Sequence, residues 1–266
     1  MHRRGAAQES AAIAAQAAVT LAPADVVRLA GHLRAGGPYG ASGYLARATA
    51  LGHARQAADT LAELRRAGLV DEAAELFHAL WGLPASALPD LLAALEQAGQ
   101  AADGQTLLWE WASAPPGELA GLAIGLSAAG RDGDVRALLR QTAGRPVAEV
   151  CATVGELAAG HGTADGSSTA DGGGAAHARS GGSGEVGRFA GLASQLVREV
   201  ATMRSAADLG DFAKALVDQP ALYGTLLDAV TALDEGRSRN ALAVLRTAGL
   251  PTAAPAGRPG RLRGRR

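Results

Sequence analysis

Apolar residues in the first 160 positions recur every three or four residues, the spacing of one face of an α-helix. An Ala-Gly step follows each such stretch, and the glycines of these five steps recur about every 31 residues. Glycine is favoured where a helix ends in a left-handed residue. The pattern therefore predicts helices that stop at Gly36, Gly68, Gly99, Gly130 and Gly160.

A second apolar stripe follows each of the first four glycines, with two large apolar residues eight and nine positions beyond it, as at Leu76-Phe77. Asp71 and Asp132 stand where an N-cap of this second helix is expected. Each unit is thus a helix–turn–helix hairpin of about 31 residues. Sixteen positions after the glycines stand residues that interrupt helices, namely Gly52, Pro84, Pro115 and Pro146.

A single hairpin cannot bury all of its apolar surface, so we expect the hairpins to stack into an all-α solenoid. Composition favours the same class. The chain holds 64 alanines and only two isoleucines among its 266 residues. Alanine is the best helix former, whereas β-branched residues are typical of strands.

The stretch LAELRRAGLVDEAAELFHAL at residues 61–80 resembles the pentatricopeptide and tetratricopeptide repeat families. The resemblance covers residues 23–160 and, more weakly, 188–250, and it implies a helical-repeat architecture. Those families repeat about every 34 or 35 residues, against about 31 here. We therefore assign no base-reading positions.

We place the domain boundaries where the helical repeat pattern begins and stops. For residues 1–22 we predict an Ala-rich lead-in helix or disorder, and for residues 23–160 the first repeat block. Residues 161–187 are rich in Gly and Ser and predict a flexible linker that replaces the second helix of the fifth hairpin. A second helical block follows at 188–250, and residues 251–266 predict a disordered tail.

Charge separates the tail from the rest of the chain. The tail holds five arginines and no acid, so with a net charge of −1 overall the remainder carries −6. A protein that tracks a phosphate backbone needs a basic stripe, which the body lacks. The tail itself is a candidate for binding nucleic acid, anionic lipid or an acidic partner, through Arg258, Arg261, Arg263, Arg265 and Arg266.

Localisation is predicted to be cytoplasmic. No sufficiently long apolar run occurs, so we expect no membrane span. The lone Cys151 forms no internal disulfide, which fits a reducing compartment. Arg3 and Arg4 followed by an Ala-rich stretch imitate a secretion signal, but Glu9 and Gln16 interrupt the stretch and favour the lead-in helix.

The sequence predicts no enzyme, cofactor or metal site. The GxGxxG match at residues 182–187 is not preceded by a strand, as a dinucleotide site requires. No two histidines are three or four positions apart. The predicted linker also contains His161, Asp165, Asp171 and His177. These residues could bind a cation only if the linker became ordered, which costs conformational entropy. Cys151 lies on an apolar stripe, so we expect it in the core.

Trp109 is the candidate partner-binding residue, because it points about 160° away from the stripe that Trp111 shares; the alternative is packing between hairpins.

We hypothesise a non-enzymatic scaffold that binds a protein or peptide. The alternatives are a single-stranded RNA-binding repeat protein and the sensory or regulatory part of a multi-component bacterial signalling system. Self-association stays open.

Overall fold

The computed structural model describes residues 12–160 and 182–253, and the regular structure there is entirely helical. The prediction of an all-α fold is confirmed. Residues 1–11, residues 161–181 and the five tail arginines lie outside the described residues. The helices are α1 (12–20), α2 (Pro23–Gly36), α3 (Ala41–Ala48), α4 (Ala54–Arg66), α5 (Val70–Trp81), α6 (Leu88–Gln97), α7 (Ala101–Trp111), α8 (Pro116–Ala128), α9 (Asp132–Ala143), α10 (Val147–Ala159), α11 (Gly182–Met203), α12 (Ala206–Leu216), α13 (Pro220–Thr231) and α14 (Glu235–Thr247).

The helix ends follow the repeat glycines. Four of them, Gly68, Gly99, Gly130 and Gly160, have φ between 68° and 73°. After Gly68 the amide of Leu69 donates to the carbonyl of Leu64 at 2.9 Å, which satisfies a carbonyl that the helix end leaves unpaired. The same bond follows Gly99, so these hairpins turn in the same way.

Gly36 departs from the predicted pattern because it ends α2 without a positive φ. Pro38 explains the difference, since the residue before a proline is confined to extended conformations. Gly37 accordingly has ψ of 175°, and the left-handed residue is Gly40, just before α3. The predicted cap at Asp71 is also wrong: Asp71 lies within the first turn of α5, which has no side-chain cap.

The described residues divide into two compact units: those up to Trp111 together with Ala128–Arg131, called unit 1 below, and Ala112–Ser127 together with those from Asp132 onward, called unit 2. In unit 1, α2 packs on α3 and α4, α4 on α5 and α6, α3 on α5, and α6 on α7. Most of these helices thus contact their hairpin partner and the corresponding helix of the next hairpin. The core is made of leucine and alanine, including Leu45, Leu61, Leu64, Leu76 and Leu80.

Unit 2 changes the interpretation of the fifth hairpin. Helix α11 packs on α9, α10 and α13, and α10 also packs on α12. α11 therefore takes the position of the second helix that the sequence predicts to be lost, and it begins at Gly182, inside the predicted linker. Its apolar stripe, which includes Leu196, Val197 and Val200, is buried. Burial of this stripe can hold the helix in place after a long connection, because the entropic cost of closing a loop grows only slowly with its length.

Of the two alternatives for the N-terminus, the structure shows a helix over 12–20. Ala18 is fully buried and belongs to the core of unit 1. The side-chain amide of Gln56 donates to the carbonyls of Ala18 and Leu21, at 2.8 and 2.9 Å. These two bonds tie the end of α1 to α4. None of the described helices has the length and apolar character needed to cross a membrane.

Candidate functional site

Aromatic residues of unit 1 are confined to one set of helices. The first helices of the hairpins, α2, α4 and α6, carry no Phe, Tyr or Trp, and every such residue lies on a second helix or in the loop before α3. None of these side chains is buried. The set comprises Tyr39, Tyr44, Phe77, Trp81, Trp109 and Trp111, called the second-helix aromatics below.

Unit 2 uses its described aromatic residues in the opposite way. Phe212 and Tyr223 are only 1% and 3% exposed, and they fill the core beside leucine and valine. In unit 1, leucine, alanine and valine form the buried core, and the half-buried ring of Phe77 packs against it. The exposed rings of Tyr39, Trp81 and Trp109 are thus not required to build the core, and large exposed rings are typical of binding surfaces.

A groove of about 750 Å³ lies between the α2–α3 loop, α3 and α5. The loop turns at Gly37, Pro38 and Gly40, and it carries Tyr39, whose side chain is fully exposed. Pro38 removes one backbone donor and fixes the local direction of the chain. The loop therefore presents the phenol ring of Tyr39 at one wall of the groove.

Charged side chains line the opposite wall in paired form. Arg34 donates to Glu72 at 3.1 Å and to Asp71 at 3.3 Å. Glu72 is only 4% exposed, whereas Asp71 is 83% exposed. Arg47 donates to Glu75 at 2.8 Å, and both side chains are nearly half exposed. The exposed pairs Arg34–Asp71 and Arg47–Glu75 contribute little to stability, so a partner can replace them at small cost.

An aromatic patch continues the groove along α5. Asp71 and Glu75 line both the groove and this patch, which adds Phe77, His78 and Trp81. The rings of Phe77 and Trp81 meet edge to face, with centroids 5.8 Å apart and planes at 73°. This contact fixes the Trp81 ring while leaving the side chain 38% exposed. Trp81 is the last residue of α5, and its indole reaches solvent there.

Trp109 is 62% exposed on α7, and Trp111 is half-buried. The exposure fits the predicted direction of the Trp109 side chain, which points away from buried Leu107 and Leu108. Trp109 is not among the residues that line the groove. The structure therefore shows a second exposed indole in unit 1, separate from Trp81.

Charge follows the same division as the rings. The second helices α3, α5 and α7 carry five carboxylates and one arginine, a net charge of −4. The first helices α2, α4 and α6 carry five acids and five arginines and are neutral. The second helices of unit 1 thus carry an excess of carboxylates, part of which Arg34 of α2 and Arg65 of α4 balance; the remaining negative charge attracts basic partners and repels phosphate.

The other residues that the sequence suggested for metal or ligand binding do not form a site among the described residues. Among the described residues no group of three His, Cys, Asp or Glu side chains is placed to hold a metal ion. Cys151 is half-buried on α10, and burial raises the pKa of its thiol. The loop histidines and aspartates and the five tail arginines lie outside the described residues.

The groove was missed from the sequence, although one signal was present in it. Tyr44 and Phe77 mark the apolar pairs of the repeat, and their rings lie only on second helices, which can be counted along the chain. The ion pairs of Arg34 and Arg47 join residues 28 to 38 positions apart and have no local pattern.

No protein-family model, curated protein or solved structure matches this chain.

Proposed function

We propose that this protein is a non-enzymatic interaction module built from stacked helical hairpins, and that it binds a basic peptide segment of another protein in the groove between α3 and α5. The observation that carries the proposal is the segregation of rings: unit 1 places all of its Phe, Tyr and Trp residues on second helices or the loop before α3 and buries none of them. Tryptophan and tyrosine are among the residues most enriched in binding hot spots.

The chemistry of the partner follows from the charge of the groove. Asp71, Glu72 and Glu75 outnumber Arg34 and Arg47 along its walls. One basic side chain of the partner can pair with the exposed carboxylate of Asp71, and a second can stack on Trp81 at the other end of α5. Single-stranded RNA also stacks on aromatic rings, but its phosphates meet the net negative charge of the second helices. A basic peptide can both contact the aromatic rings and pair with the carboxylates.

The test is selection of random peptides on the full-length protein, followed by binding measurements with the selected peptides. We expect them to be rich in arginine or lysine, and their Kd to rise about thirtyfold for Trp81→Ala, the loss typical of a hot-spot residue. The matched control is Met203→Ala, which removes a 48% exposed apolar side chain in unit 2 and should leave Kd unchanged.

Two results would contradict the proposal. Selection of acidic peptides would show that the field of the second helices does not steer the partner. Equal Kd values for Trp81→Ala and Met203→Ala would place binding elsewhere. A labelled mixed-sequence RNA is measured in parallel, and tight RNA binding that Trp81→Ala abolishes, with no peptide selected, would replace the peptide by RNA.

A further inference from the structure

A small cleft in unit 2 has a chemistry opposite to that of the groove. It measures about 220 Å³ and lies where α12 packs against α14. Its polar lining consists of Arg204, Ser205, Arg237 and Asn240, with apolar side chains such as Leu209 and Leu233 behind them. No carboxylate is among the residues that line it. Two guanidinium groups thus share one small cavity without an acid between them.

Each guanidinium is held in place by one backbone carbonyl. Nε of Arg204 donates to the carbonyl of Ala143 at 2.8 Å, at the end of α9. Nη2 of Arg237 donates to the carbonyl of Thr202 at 2.6 Å, in the last turn of α11. Since a guanidinium has five N–H donors, each arginine keeps others available after making this bond. The two side chains are therefore positioned before any ligand arrives.

The nearby carboxylates are engaged in other bonds. Asp208 accepts from the hydroxyl of Ser205 at 2.8 Å, and Asp234 accepts from the backbone amide of Arg237 at 2.9 Å. Glu235 pairs with Arg239, and Asp211 pairs with Lys214. The charges of Arg204 and Arg237 are thus not matched by an ion pair with these acids.

Arg204 provides the observation that points to a ligand. Its Nη2 atom is buried and has no hydrogen-bond partner among the described residues. Buried polar atoms are almost always paired, and a buried charge without a partner is costly. An anion in the cleft would balance the charge of this partly buried guanidinium through N–H groups other than the enclosed Nη2.

We propose that this cleft binds a small tetrahedral oxyanion, inorganic phosphate or the phosphoryl group of a small phosphomonoester, between Arg204 and Arg237. Guanidinium groups match phosphate oxygens in geometry and charge. The side-chain amide of Asn240 adds a neutral donor at the rim. The cleft is smaller than the pockets that hold drug-sized ligands, which favours a small anion. The site is independent of the α3–α5 groove.

The test is a titration of the full-length, ¹⁵N-labelled protein with sodium phosphate, against sodium chloride at equal ionic strength and pH. We expect phosphate alone to shift the side-chain Nε–H signals of Arg204 and Arg237 in a saturable way. Arg237→Gln should raise the Kd for phosphate about tenfold or more, because it removes a charged hydrogen-bond donor. Arg237→Lys should weaken binding less, because it keeps the charge.

Arg246→Gln is the matched control, since Arg246 is exposed on the same helix α14 but does not line the cleft. Arg237 is also exposed, so its variants are expected to fold, and melting curves check this. Equal responses to phosphate and chloride would overturn the proposal. An equal loss of affinity in Arg246→Gln and Arg237→Gln would also overturn it, since binding would then reflect net charge alone.

Discussion

Arg65, at the end of α4, donates to Asp103, in the first turn of α7, with Nη2 and Oδ1 2.9 Å apart. Asp103 is only 13% exposed, and its hydrogen bond raises the pKa of the Arg65 guanidinium. A cation at a helix C-terminus and an anion at a helix N-terminus are each favoured by the helix dipoles. The pair therefore joins consecutive hairpins of unit 1 by a contact that the helix ends reinforce.

Asp103→Asn should lower the free energy of unfolding by about 1 kcal/mol, because it removes the charge from a partly buried hydrogen-bonded pair. The comparison is Asp25→Asn, which breaks the exposed pair with Arg28 and should cost less than about 0.5 kcal/mol. Urea unfolding of both variants measures the difference. Equal effects would show that the Arg65 pair behaves as an ordinary surface pair.

Glycine at the hairpin turns is required by backbone conformation. Gly68→Ala should cost about 1 kcal/mol of stability, because φ is 72° there while no atom lies within 4 Å of the added Cβ. Gly155→Ala is the control: the site is equally open but lies within helix α10, so stability should rise by about 0.5 to 1 kcal/mol. Thermal melting shows whether each variant is less or more stable than the unmodified protein. Higher stability of Gly68→Ala would refute the left-handed turn.

Trp109 tests whether an exposed indole serves stability or binding. Trp109→Ala should change stability by no more than a typical surface substitution, about 0.5 kcal/mol, because its side chain is 62% exposed. Leu108→Ala, at a 1% exposed neighbour, should cost about 2 to 5 kcal/mol, and thermal melting compares the two variants. A large loss for Trp109→Ala would mean that the indole packs between hairpins and is no anchor for a partner.

Burial raises the pKa of the Cys151 thiol, so its reactivity should rise with pH later than that of a free cysteine. Iodoacetamide alkylation followed by mass spectrometry gives the rate against pH, with cysteine in an unfolded sample as reference. The half-buried thiol keeps its proton to a higher pH in the folded state than in the unfolded state, so its contribution to stability is complete below the unfolded pKa. The contribution is lost as the pH rises through the folded pKa, and Cys151→Ser should reduce this alkaline loss.

The periodic part of the fold was accessible from the sequence because it depends on local chemistry. Helical spacing, glycine after each first helix and proline after most second helices all act within a single hairpin. The predicted helix stops at Gly68, Gly99, Gly130 and Gly160 agree with the structure for this reason. The Ala248-Gly249 step carries the same signal, and Gly249 has φ of 72° after the end of α14.

The sequence by itself thus determined the helical class and the helix stops at four of the repeat glycines, because helical spacing and a left-handed glycine act locally. Only the tertiary structure decided that α11 packs beside α10, because the entropic cost of a longer connection grows slowly with its length and burial of the apolar stripe offsets it. The same holds for the α3–α5 groove and for the cleft of Arg204 and Arg237. Their residues are brought together by helix packing, and charge pairs across helices leave no periodic trace in the chain.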